Sequence, residues 1–237
     1  MPAPVLERYF AQEYLTPGAL ETVDAVRAHC GLTANSSVLE LASGKGATAV
    51  TLAAEYGCRV VGVDGYPLFV RASRDLAIER GVAARAAFVI ADGGRAPVRD
   101  GAFDAAICIG APSIVGTKRC FRAMHRAMRV GGIAVASDWT WATDSPPAEA
   151  VPAGVKAPFV TLDAYTAVVR EAGFEIVVAE AMPARVWDEY YSPLRVITSE
   201  ERAANQNMPE DPIESEIAAY DAGGHLWQYS LLVARKP

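Results

Sequence analysis

Basic runs, paired cysteines and long apolar stretches are all missing from this 237-residue chain, and each absence removes a class of function. The 22 Lys and Arg are scattered and outnumbered by 28 Asp and Glu, giving a formal net charge of −6. Nucleic-acid binding draws on clustered cations that neutralise phosphates, so nucleic acid is not expected as a partner. The four cysteines, Cys30, Cys58, Cys108 and Cys120, form no C-x-x-C pair and have no histidine at ligand spacing, so no metal is expected. They read as buried or half-buried thiols of a reducing compartment. No apolar run approaches the roughly 18–20 residues that span a bilayer, and a membrane is not expected as a partner. The opening Met-Pro-Ala-Pro-Val-Leu-Glu-Arg lacks a basic segment followed by an apolar one. No secretion signal is therefore expected, and a cytoplasmic location is. Also missing are a Gly-x-Ser-x-Gly elbow and a Walker loop, the marks of a serine hydrolase and of a nucleotide triphosphatase.

What the chain does have is apolar residue, 51% of it, enough for a substantial core. Its length suits one domain over residues 1–237 with embellishments. Short β-branched runs alternate with helical patterns through the first half, the pattern of an α/β, doubly wound, mostly parallel sheet. Strands are predicted at Ser36 to Leu41, Cys58 to Val63, Ala87 to Ala91, Asp104 to Ile109 and Ile133 to Ser137. Helices are predicted over 17–31, with Leu20, Val23 and Val26 on one face, over Ala47 to Tyr56, Pro67 to Arg80, and 115–129 ending at Gly131-Gly132. A helix over Thr161 to Ala172 and a sixth strand over Phe174 to Ala181 follow. Residues 184–224 read as an insert, polar and aromatic, with weak helical periodicity at 197–207 and 212–220. The last strand is predicted over Leu226 to Ala234. Residues 1–16 carry Tyr9, Phe10 and Tyr14, which suit a lid.

The chemistry concentrates in Glu40-Leu-Ala42-Ser43-Gly44-Lys-Gly46, which follows a strand and opens a helix. Glycines allow a sharp turn and close approach of a ligand, and the helix end offers unpaired N–H groups. A diphosphate would want those N–H groups without a nearby acid. Glu40 instead suits a ligand carrying an ammonium and a sulfonium. Asp64, with Gly65 after it, ends the second strand about 20 residues past the turn, where a carboxylate can accept both ribose hydroxyls. The competing reading of Asp64 is a cap for the following helix.

With these residues in view, the stretch resembles motif I of the class I S-adenosylmethionine-dependent methyltransferases, with Ala42 in place of the first motif glycine. The resemblance runs over residues 18–141. It implies a seven-stranded sheet, S-adenosyl-L-methionine as cofactor, and a contact from Asp92 to the adenine amino group, with Ala91 and Gly93 beside the ring. It also implies that Ile109-Gly110 passes under the methionyl part. Arg129-Val-Gly131-Gly132 is similar to the family's turn before strand five, with Val130 in place of proline. Asp138-Trp139-Thr-Trp141 and Trp187-Asp-Glu-Tyr190 resemble a bacterial subgroup of such enzymes. No D-P-P-Y or N-P-P-Y follows the fourth strand, as amino-methylating enzymes of DNA or glutamine have, and the marks of RNA cytosine methylation and of metal-dependent catechol-type enzymes are absent.

Methyl transfer asks for in-line positioning, and for a base only when the acceptor must lose a proton early. Asp138, Tyr190 and His225 are the candidates for catalysis; a cap or backbone partner is the plainer reading of Asp138, and a surface loop residue that of His225. Trp139, Trp141, Trp187 and Tyr191 are candidates for an aromatic wall holding a flat or cationic acceptor, and core cover beneath the insert is their plainer reading. The expected activity is methyl transfer to a small-molecule acceptor bearing an amine, heterocycle, thiol or hydroxyl. Alternatives are a non-catalytic S-adenosylmethionine-binding module, other alkyl-transfer or cyclisation chemistry, and methylation of a macromolecule. A homodimer is left open.

Overall fold

Strands rich in apolar residues on both faces have two faces to bury, and the central strands of a five-stranded parallel stretch are of this kind here. The computed structural model describes residues 12–145, 160–204 and 212–237, apart from the side chains of Pro212 and His225. Of the N-terminal segment expected as a lid, Tyr9 and Phe10 lie outside the described residues. Strands β1 (Ser37–Leu41), β2 (Arg59–Asp64), β3 (Ala86–Ile90), β4 (Phe103–Ile109) and β5 (Met128–Trp141) run parallel. Strand β7 (Trp227–Arg235) is antiparallel to both β5 and β6 (Glu175–Ala181). The order is β3-β2-β1-β4-β5-β7-β6. Chain direction across the sheet therefore switches between β1 and β4, which opens a crevice at their carboxyl ends.

Period-two alternation divides the strand residues between two cores. Val38, Ala105, Ile107, Ile133 and Val135 face one layer, which holds α1 (Ala19–His29), α2 (Ala47–Tyr56) and α3 (Pro67–Glu79). Leu39, Leu41, Ala106, Cys108, Ala134 and Ala136 face the other. That layer is covered by α5 (Thr117–Ala127) and α6 (Leu162–Glu171), whose Phe121 and Tyr165 meet edge to face. Thr161 caps α6 by accepting from the Ala164 amide at 3.3 Å. All four cysteines are free thiols, three of them buried. Among the described residues no helix is long and apolar enough to cross a membrane.

Four segments differ from the sequence-based expectation. The helix expected over 115–129 is broken at Gly116, at φ 93°, into a one-turn helix α4 (Pro112–Val115) and α5. Strand β5 starts earlier and runs on to Trp141, because Ile133 to Trp141 pair residue for residue with β7. Gly131-Gly132 thus lies within a strand rather than closing a helix. Leu20 is 57% exposed, while Val23 and Val26 are fully buried. At roughly 100° per residue, Leu20 stands more than ~90° from the face that Thr22, Val23 and Val26 share. The insert folds into α7 (Arg185–Ala204), much longer than its weak periodicity indicates, and α8 (Pro212–Gly223).

Gly46 and Gly81 both have left-handed backbones, at φ 80° and 69°, but differ in surroundings. A Cβ on Gly46 would lie 2.7 Å from Ser73 Cβ and 2.8 Å from Phe88 Cζ, whereas one on Gly81 meets nothing within 4 Å. Gly81→Ala is expected to lose about 1 kcal/mol, the backbone contribution alone. Gly46→Ala is expected to lose ~2–4 kcal/mol, because overpacking adds to it. Urea denaturation of the two variants checks the difference.

Candidate functional site

The turn after β1 is built from left-handed residues. Ala42 has φ 52°, Gly44 φ 52° and Gly46 φ 80°. For alanine that conformation costs about 1–2 kcal/mol, since its Cβ crowds the following carbonyl. The Ser43 amide donates to the Val63 carbonyl at 3.2 Å and the Gly46 amide to the Ser43 carbonyl at 2.9 Å. The turn is thereby held against β2, and α2 begins with its amide end toward the crevice.

A cavity of about 540 Å³ occupies the carboxyl ends of β1, β2, β3 and β4. All the expected cofactor-side residues line it except Gly46: Glu40, Ala42, Ser43, Gly44, Asp64, Gly65, Ala91, Asp92, Gly93, Ile109 and Gly110. Gly46 instead makes room for Ser73 and Phe88 behind the turn.

Besides Glu13, three acids carried by the strand ends line this cavity. Asp64 Oδ2 accepts from the Gly44 amide and Oδ1 from the Tyr66 amide, each at 2.8 Å. Each oxygen keeps a further lone pair. Asp92 accepts from the Gly94 amide at 2.9 Å and forms an ion pair with Arg119. The Arg119 guanidinium holds its carboxyl below the usual carboxylate range. Glu40 is only 4% exposed, and its Oε2 has no hydrogen-bond partner among the described residues. Burial foremost pushes its pKa up to about 8; the Thr48 hydroxyl and Ala49 amide oppose that, and the neighbouring Asp64 adds to it. The buried Ser43 hydroxyl is likewise without a partner among the described residues.

Residues 12–18 run alongside the cavity as a strap. Glu13, Tyr14, Leu15 and Thr16 line the cavity. Lys45 Nζ donates to the Gln12 carbonyl, and the Tyr190 hydroxyl to the Leu15 carbonyl at 3.2 Å. The Thr16 and Tyr229 hydroxyls share a hydrogen bond. Gly110, at φ 68°, lies directly under this last pair, and a Cβ there would fall on the Thr16 side chain. Glu13 to Thr16 fall within the segment 1–16 expected as a lid, whereas Tyr229 leaves no local pattern, because its hydroxyl meets Thr16 only through the fold. Tyr66, Phe69, Ile114 and Val115, which no motif singles out, line the cavity from α3 and its entry and from α4.

The acceptor-side candidates are placed elsewhere. Asp138 is 1% exposed and does not line the cavity. Its carboxylate accepts from the Ser113 amide (2.6 Å) and hydroxyl (3.0 Å) and from the Trp139 amide (2.9 Å). It thus ties α4 to β5, and burial pushes its pKa up to about 6 against those hydrogen bonds. Trp139, Trp141, Trp187, Tyr190 and Tyr191 do not line the cavity either. Trp187 is 2% exposed and packs on Trp139, Tyr220, Tyr229 and Tyr191 at ring separations of 4.8, 5.4, 5.5 and 5.9 Å. Trp141 is buried opposite Trp227 where β5 and β7 pair. Rings this close leave no gap for a ligand between them. The group fills the space between the insert helices and the sheet because its aromatic area is best buried there. His225 belongs to a 3-10 turn, Gly224–Leu226, ahead of β7; its side chain lies outside the described residues.

The residues present fit an adenosyl ligand with a cationic amino-acid end. Glu40 offers an unpartnered buried acceptor to an ammonium, and Asp64 offers free lone pairs to vicinal hydroxyls. A diphosphate at the turn would face both carboxylates.

Residues 38–132 match a family model described as a methyltransferase domain. Compared by sequence with curated proteins, the chain matches none. Among solved structures it resembles an S-adenosylmethionine-dependent methyltransferase from Geobacter sulfurreducens in complex with S-adenosylhomocysteine, with 24% identity and a TM-score of 0.81 over 100% of this chain and 99% of that one. A methyltransferase from Thiobacillus denitrificans, also in complex with S-adenosylhomocysteine, matches at 24% identity and TM-score 0.79 with the same coverage. The [4+2]-cyclase SpnF matches at 25% identity and TM-score 0.75, over 92% of this chain and 81% of that one. Strand order, the antiparallel β7 and these likenesses agree: the chain has the class I fold of the S-adenosylmethionine-dependent methyltransferases.

Proposed function

We propose that this chain is an enzyme that binds S-adenosylmethionine in the cavity and transfers its methyl group to a small-molecule acceptor. The observation that carries the reading is the pair of acids in one crevice, Glu40 with an unpartnered oxygen and Asp64 on the turn amides. In this reading Glu40 takes the ligand ammonium and Asp64 the ribose hydroxyls. Asp92, Ala91 and Gly93 take the adenine edge, and Ile109-Gly110 the methionyl chain. When bound, the donor supplies an electrophilic sulfonium methyl. The chain's part is to orient it and keep water away, so that an acceptor lone pair approaches in line.

The strap suits a small acceptor, because Glu13 to Thr16 form part of the wall of the crevice. Amines, heterocycles, thiols and hydroxyls remain the acceptor classes. Asp138 is assigned a positioning role, holding α4 beneath the methionyl end through Ser113. Tyr190 is assigned the strap, through Leu15. Trp139, Trp141, Trp187 and Tyr191 are assigned the packing that keeps the strap's anchors in place. The likeness to a [4+2]-cyclase favours a second reading, cyclisation in the same pocket. Product mass separates the two, since methyl transfer adds one methyl group and cyclisation leaves the mass of the substrate unchanged.

Isothermal titration with S-adenosylhomocysteine tests the cavity assignment, and absence of binding at hundreds of micromolar would refute it. Asp64→Ala is expected to weaken that binding by ~1.5–3 kcal/mol, the range for hydrogen bonds to a charged group. Unchanged affinity would remove Asp64 from the ribose. Tyr190→Phe is expected to speed S-adenosylhomocysteine release by roughly 3- to 10-fold in stopped-flow measurements, as follows from one neutral hydrogen bond of about 1 kcal/mol. Release at the wild-type rate would mean that the strap does not gate the site.

A further inference from the structure

We infer that a ligand ammonium docking at Glu40 displaces a proton from that carboxyl into solution, so that occupation of the cavity is an exchange of one positive charge for another. This rests on the reading that the cavity holds the amino-acid end of the donor. Two carboxyl groups, Glu40 and Asp64, line one cavity and differ in how their oxygens are satisfied. Asp64 receives two backbone N–H groups, one to each oxygen. Glu40 is buried at the end of β1 with Oε2 unpartnered among the described residues. A buried carboxylate oxygen without a donor is far less stable than a protonated one. When two nearby acids cannot both be ionised cheaply, the one that would leave an oxygen without a donor keeps the proton.

The surroundings of Glu40 lead the same way. From α2 the Thr48 hydroxyl and Ala49 amide favour the ionised form, and they are outweighed by burial. Asp64 on β2 faces it as a like charge. Tyr14 on the strap and Cys108 on β4 also interact with it electrostatically, and both are themselves held protonated by burial. Glu40 in the ligand-free protein is accordingly raised to about 8 and holds its proton at neutral pH.

The balance is simple. Neutral carboxyl plus ligand ammonium gives carboxylate paired with ammonium, plus one proton taken up by buffer. No covalent bond other than O–H breaks, and nothing is oxidised. Affinity for an ammonium-bearing ligand then strengthens up to about tenfold per pH unit as pH rises toward 8, and levels off beyond it. The same group acts on stability with the opposite sign to a salt-bridged acid. Its folded pKa lies above the unfolded value, so the native state holds a proton that the unfolded chain gives up. Stability of the ligand-free protein therefore falls as pH rises from about 4.5 to about 8.

The test uses the full chain in calorimetric titrations at pH 7, in phosphate and in Tris, whose ionisation heats differ. The ligands are S-adenosylhomocysteine, which has the ammonium, and 5′-methylthioadenosine, a neutral nucleoside that lacks it. The expected result is release of close to one proton with the first and none with the second. Glu40→Gln is expected to bind S-adenosylhomocysteine more weakly and without proton release. Without ligand, it is expected to lose the decline in thermal midpoint between pH 5.5 and pH 8. Binding of S-adenosylhomocysteine to the wild type without proton release overturns the exchange and leaves the donor site standing. Equal proton release from Glu40→Gln overturns it as well, by assigning the proton to another group. If the wild type binds neither ligand, the donor reading falls and the exchange with it. Should Glu40→Gln not fold, the wild-type comparison of the two ligands decides alone.

Discussion

The Asp64 carboxylate, accepting one amide from the β1–α2 turn and another from the β2–α3 turn, is the contact on which the cavity depends. It joins Gly44 to Tyr66 across the tips of two adjacent parallel strands. Parallel pairing of β1 with β2 brings the two turns side by side, but pairing stops at the strand ends and leaves their amides unsatisfied. A carboxylate placed between them supplies the missing acceptor. It also fixes the Gly44 amide at the edge of the cavity. The left-handed conformation of Ala42 is part of the same arrangement, an unfavourable backbone state kept because the surrounding hydrogen bonds fix the turn.

Around this centre the chain uses aromatic packing where the sheet itself ends. Strand β5 extends to Trp141 and β7 to Trp227, beyond the part covered by α1 to α3. Helices α7 and α8 bury that extension through Trp187, Tyr191 and Tyr220. Two tyrosines of the group, Tyr190 and Tyr229, reach past it with their hydroxyls and hold the strap. The aromatic insert thus acts on the cavity at one remove. Its rings form a packed platform, and the Tyr190 hydroxyl, with that of Tyr229 on β7, reaches the strap that lines the crevice.

The doubly wound sheet and the cavity's main lining were legible in the sequence because both are local. An apolar strand, a glycine turn and an acid at a strand tip each occupy a few consecutive residues, so Glu40, Asp64 and Asp92 could be placed by position along the chain. The aromatic residues were visible by type but not by direction. Trp139, Trp187 and Tyr191 belong equally well to a pocket or to a core until the packing of α7 on β5 is known. Asp138 sits at the carboxyl end of a strand, as a residue serving an acceptor does, yet its oxygens are taken by Ser113 and Trp139. No sequence pattern marks that capture, because it depends on the break at Gly116 that makes α4 a separate turn. The length of β5 was hidden for a similar reason: only the register with β7, some 90 residues away, carries the strand through to Trp141.

The bond between Thr16 and Tyr229 joins residues separated by 213 positions. Tyr229 belongs to β7, which lies between β5 and β6 although both precede it in the chain. A polypeptide emerging from the ribosome can therefore assemble β1 to β5 and the glycine turn early, while the gap beside β5 stays open. Until the last strand slides into that gap, the strap has no anchor at Thr16. The nascent protein would thus pass through a stage with its crevice formed and the strap tied by Lys45 and Tyr190 but not yet by Tyr229, and the order of synthesis would set when that last tie fastens.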